Sequence, residues 1–386
     1  MSATPHQPAM TGAAAPRRQP SAADGAARAT PLGETATIQQ YSQTLLWTFA
    51  SIGVCALAYA VEKYIFRDAL GLIHDSTYRM FKNPAELPMR LFGLPHFIVG
   101  LLFMLSSRRM RGARSWVVFA ALLALGAGFS WLFYRFGRAG DGFNALALML
   151  FYFYFLIHGL RDEAFFYKAH GDMPEDAGPT HDRVMVVLQA LLLGLLLSLA
   201  IPAYVLYGEW KPEFSHPLLQ NLFPAQWSYA TRVAATFLPM AAVAWVVMWR
   251  IARVFPEGLR GLWETHKPIL VVFLCSTGIV LLALVSGPWT FNAVVLMHFV
   301  GWYIFGRRML ARRPPPEPPR AGGWKWMRTT PLGFTWLHLG LTGVVIALVA
   351  LSTYGFGKTD ALELIVGSKS FYYWTIIHVT LSFYPR

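Results

Sequence analysis

Apolar runs close to the length of a bilayer crossing recur along this chain from residue 45 almost to its C-terminus, broken only by short polar stretches. That recurrence limits the fold more than any single motif does. A helix needs ~20 apolar residues to cross the hydrocarbon core, and within that core only helices and closed barrels satisfy every backbone N–H and C=O. Ten segments approach the required length: 45–60, 91–106, 116–134, 143–160, 184–207, 230–249, 268–286, 289–305, 332–352 and 371–384. A soluble chain carries about a quarter charged residues, whereas here 14% are charged and 55% hydrophobic. The expected fold class is an all-α polytopic membrane protein, a bundle of about ten transmembrane helices. The second and last segments are the weakest, and the last runs into Pro385. Each is expected to be tilted, re-entrant or buried behind its neighbours.

Residues 1–40 are rich in Ala, Pro, Ser and Thr and nearly free of large hydrophobes, the composition of a disordered cytoplasmic tail. No apolar stretch follows the early arginines closely enough for a cleavable signal peptide. A single transmembrane domain is expected over 41–386. Two thirds of the 33 Lys and Arg fall, by alternate connection, on the side that also receives both termini. The positive-inside rule puts that side in the cytoplasm, so both termini are N-in and C-in, in the inner (plasma) membrane. The formal charge of +13 then reports topology and anionic headgroups and requires no nucleic-acid partner. Residues 306–331 form a basic, Pro-rich cytoplasmic loop, whose PPPEPP run reads as an extended spacer. Cys55 and Cys275 lie inside apolar runs and read as small buried hydrophobes rather than a disulfide framework.

Nucleotide chemistry has no foothold in this sequence: there is no Walker A loop and no GxGxxG opening a helix. HExxH and GxSxG are also missing, as is the HxxxH and HxxHH set of desaturase-like hydroxylases. What needs explaining is histidine. Five of the eleven fall inside the apolar segments: His96, His158, His298, His338 and His378. Ionisable groups within a bilayer are rare and face the bundle interior, where they pair or carry function. Counted from the span centres at ~1.5 Å per residue, most of the five share a layer about two helical turns thick. If His96, His158, His298 and His378 converge, neutral imidazoles from four helices make a metal site for Fe, Cu or Zn. Asp162 follows His158 by four residues, on the same helical face, and is the candidate partner that orients it or takes its proton. The alternatives are ordinary interhelical hydrogen bonds for single histidines, His338 foremost, and a solvated interfacial charge run for Arg161, Asp162 and Glu163. The aromatic run 151–155 would line an apolar substrate tunnel or face lipid.

At GLPH ending at His96, LIHGLRD around His158, LMHF around His298 and IIH ending at His378, in that chain order, the sequence resembles the Brp/Blh family of membrane β-carotene 15,15′-dioxygenases. The resemblance implies a multi-pass protein in which four histidines on separate helices bind a non-haem iron that cleaves a carotenoid. The expected function is a His-ligated non-haem iron oxygenase acting on a lipophilic substrate drawn from the lipid bilayer. Two alternatives from other classes stand beside it. One is a transporter or permease using intramembrane histidines for protons or solute; the other is a haem protein with paired axial histidines.

Overall fold

The computed structural model describes residues 31–71, 86–139, 142–143, 145–170, 224, 226–253, scattered positions between 258 and 278, 291–312, 317–354, 360–367 and 369–384. Apart from one two-residue antiparallel ladder, Arg138–Ala139 with Gly142–Phe143, the regular structure among the described residues is helical. In chain order the helices are α1 (Pro31–Ala60), α2 (Glu86–Leu105), α3 (Ala113–Gly137), α4 (Ala145–His170) and α5 (Tyr229–Ala252). They continue with α6 (Phe291–Arg312), α7 (Trp324–Thr329), α8 (Pro331–Tyr354), α9 (Asp360–Val366) and α10 (Ser370–Ser382). The expected spans 184–207 and, for the most part, 268–286 lie outside the described residues.

Among the described residues, four helices are long and apolar enough to cross a membrane: Ile38–Ala69, Leu87–Leu105, Ala113–Gly137 and Pro331–Ser352. Two boundaries differ from the sequence reading. α1 is described from Pro31 on, within the stretch expected to belong to the tail. α6 runs on to Arg312, and α7 occupies part of the expected 306–331 loop. The weak last segment is a helix of 13 residues. It rises only ~20 Å, short of the ~30 Å hydrocarbon core. It tolerates this because it is packed among α2, α3, α4 and α9.

Close association of apolar helices rests on packing and on small residues that let backbones approach. Gly126 of α3 is such a residue. A Cβ there would stand 3.1 Å from the Ile377 Cα and 3.2 Å from Thr380, and Ser130, one turn on, donates to the Tyr373 carbonyl at 3.0 Å. Gly93 of α2 does the same job, since its Cβ would meet the Phe371 ring at 2.6 Å and the Phe299 ring at 2.8 Å. The result is one apolar core in which α1, α2, α4, α6, α8 and α10 all take part, with Phe97, Phe155, Phe299 and Phe371 among its buried members.

Pro95 lies inside α2. Having no N–H, it leaves the carbonyl four residues back without its helical donor. That carbonyl belongs to Leu91, and Thr342 Oγ1 of α8 donates to it at 3.2 Å. The sequence break just before His96 is thus repaired by a neighbouring helix, as an apolar environment requires.

Candidate metal centre

Four helices each bring one imidazole to the same point. His96 comes from α2, His158 from α4, His298 from α6 and His378 from α10. His96, His158 and His298 are 2%, 2% and 4% exposed, and Asp162 is 6% exposed. The ring centroids are 4.7 Å apart for His96 and His378, 5.4 Å for His96 and His298, 4.9 Å for His158 and His298, and 5.2 Å for His158 and His378. One ligand atom each from His96, His158 and His378 lies within 4.8 Å of the others, and the same is true of His158, Asp162 and His298. Asp162 Oδ2 stands 3.7 Å from His158 Nε2, in ion-pair range but longer than a hydrogen bond.

The two groups share His158, and their spacings are compatible with ligands around an ion as well as with packed rings. Imidazoles bound tetrahedrally at ~2.1 Å put their ring centroids ~5 Å apart. Two ligands at that distance and near a right angle place their nitrogens ~3 Å apart. His96 Nε2 and His378 Nε2 are 3.1 Å apart. The groups could hold a metal ion, and the orphaned polar atoms fit that use. Neither ring nitrogen of His298 has a hydrogen-bond partner among the described residues, and neither does His96 Nδ1. A neutral imidazole carries both a donor and an acceptor, and leaving either buried and unmatched costs about 1–3 kcal/mol.

Aromatic rings seal the site. Phe97 stacks on His378 at 4.7 Å, Phe155 meets His298 edge-on at 5.5 Å, and Trp302 meets His96 edge-on at 4.5 Å. Phe151, Tyr152 and Phe155 of the aromatic run are buried. The lipid-facing reading therefore fails for these three, because the face of α4 that carries His158 is the one turned inward. Tyr152 Oη donates to Asn292 Oδ1, tying α4 to α6. Asp162 is likewise buried rather than solvated, being on that same face.

His338 stays outside the group. Its Nδ1–H donates to the Phe334 carbonyl at 2.9 Å, on its own helix rather than across to another, and its ring is 5.8 Å from Trp302. Trp302 is the wall residue that reading the sequence missed. Its signal was available, since it follows His298 by four residues and so shares a face of α6. Thr342 had no such signal, because its role depends on which helix lies beside Pro95.

No known protein family, curated protein or solved structure matches the chain.

Proposed function

We propose that this is a polytopic inner-membrane protein with about ten spans and both termini in the cytoplasm. In this reading His96, His158, His298 and His378 hold one metal ion, non-haem iron, that oxidises a lipophilic substrate. The observation that carries the proposal is His298: a fully enclosed imidazole with both nitrogens unmatched among the described residues, facing other imidazoles at ligand spacing. An all-nitrogen set with a carboxylate alongside suits Fe, Cu or Zn, and the resemblance at the four histidine motifs supports iron. Ring centroids 4.7–5.4 Å apart on four sides leave no plane for a macrocycle, which argues for a bare ion over haem.

When bound, iron supplies the redox chemistry and a Lewis acid. The chain's own residues do the rest. The four imidazoles would hold the ion from four different helices. Asp162 Oδ2, beside His158 Nε2, is placed to hold or accept a proton at that nitrogen or to act as a further ligand. Phe97, Phe155 and Trp302 keep water out, which strengthens every electrostatic contact inside.

The His96 and His378 nitrogens at 3.1 Å also have the geometry of a proton hand-over, which is what favours the transporter reading. Elemental analysis of the purified protein and of His298→Ala decides between the two. One iron per chain in the natural protein and a large loss in the variant is the expected result. No stoichiometric metal in the natural protein overturns the oxygenase and leaves the transporter.

A further inference from the structure

A cavity of about 460 Å³ opens beside the histidines, between the close pair α3 and α10 on one side and α2 and α8 on the other. Its wall includes Phe97, Leu101, Phe119, Val345, Ile377 and His378. His378 is the partition. Its Nε2 faces His96, while Cε1 and Nδ1 turn to the cavity floor, 3.5 and 4.0 Å from where a Gly100 Cβ would be. The cavity follows α2 from Leu94 to Met104, which is ~15 Å of helix rise. Volume over length gives a mean cross-section of about 30 Å², room for at least one extended hydrocarbon chain. Apart from His378, the polar side-chain groups in the lining are the Ser382 hydroxyl, which donates to the Val379 carbonyl, and the Trp374 indole N–H, which donates to the Leu364 carbonyl.

Two arginines stand beyond one end of the cavity, outside its lining, each at the end of a helix that forms its wall. Gly93 meets Phe371 and His96 meets His378, so α2 and α10 run the same way and finish together. Arg328 donates to the carbonyl of Ser106, just past α2, at 3.3 Å, and Arg161 donates to the carbonyl of Ser382, the last residue of α10, at 3.4 Å. A guanidinium carries five N–H donors in a planar fork suited to a carboxylate, and each of these bonds engages one. We infer that this slot binds an unbranched, single-chain anionic amphiphile of the long-chain carboxylate class, its chain passing His378 and its headgroup at Arg161 and Arg328. The inference rests on the oxygenase reading for what becomes of the chain, and it narrows the lipophilic substrate to one with a charged end.

The test uses the full chain, purified in detergent, and a long-chain carboxylate carrying a mid-chain diazirine. After irradiation, label is expected on peptides of α2, α8 or α10. Leu101→Trp fills the slot and should lower labelling about tenfold, the scale of discrimination that small steric changes make in an apolar pocket. Arg161→Gln should lower it about tenfold for the carboxylate by removing a charge-assisted bond, but leave the matching long-chain alcohol unchanged. Metal content, measured on the same samples, should be unaltered in both variants. Labelling that ignores Leu101→Trp overturns the inference, as does equal capture of carboxylate and alcohol, or competition by phosphatidylcholine as strong as by the free carboxylate. Metal-free protein that still shows the expected labelling pattern sinks the oxygenase and spares the slot. Metal-loaded protein without that pattern does the reverse.

Discussion

Replacing His298 by leucine separates a metal site from a packed histidine cluster by how its effect depends on metal. The imidazole is 4% exposed and has two unmatched nitrogens among the described residues. Each such group costs about 1–3 kcal/mol. Leucine is of similar size and carries no polar atom, so in the presence of chelator His298→Leu should stabilise the fold by about 2–6 kcal/mol. With metal the difference shrinks or reverses. An ion present at a thousand times its dissociation constant stabilises the natural protein by about 4 kcal/mol, and a site lacking one of four ligands forfeits most of that. Thermal unfolding of both proteins in detergent, with EDTA and with Fe(II) or Zn(II), reads the four values directly. At roughly 2 °C per kcal/mol for a large domain, the metal-dependent shift of the natural protein is several degrees and that of the variant close to none. Two results refute the reasoning: a natural protein whose unfolding ignores metal, or a variant less stable than the natural protein in EDTA.

Asp162→Asn keeps the shape beside His158 but removes the charge, and should weaken metal binding about 10–100-fold, as losses of groups orienting metal-bound histidines do; competitive chelator titration measures it. Gly126→Val places side-chain atoms where the α10 backbone now passes, 3.1 Å from the Ile377 Cα. It should cost about 1–3 kcal/mol and lower metal content by displacing the adjacent His378, read by unfolding temperature and elemental analysis together. Thr342→Val removes the donor to the Leu91 carbonyl and should destabilise by about 1–3 kcal/mol, whereas an α2 that needs no such donor would show no change. His338→Phe should leave metal content within about twofold of the natural protein, because its bonded nitrogen serves a carbonyl of its own helix; a large loss of metal would put His338 among the ligands.

Part of the site was legible before any coordinates. Its depth followed from counting residues along apolar runs, and the pairing of His158 with Asp162 from a spacing of four on one helix. That His338 would stand apart was also readable, though the partner it bonds was not. The aromatic run divided wrongly in prospect, because with apolar residues all round the helix, periodicity cannot distinguish the face packed on the core from the face turned to lipid. Thr342 and the small residues Gly93 and Gly126 were silent for another reason. Their roles arise from a second helix lying across them, and no local pattern encodes that neighbour.

The sequence by itself determined that the chain is helical and rich in membrane-length apolar segments, since a run of apolar residues leaves the backbone few ways to satisfy its own hydrogen bonds. It also determined which histidines sit at similar depth, because helical rise converts residue number directly into height. Only the tertiary structure decided that four of those imidazoles meet and one does not, and that an apolar cavity opens beside His378. Lateral position depends on the order in which helices pack, which is set by contacts among residues hundreds of positions apart rather than by the period of any one segment.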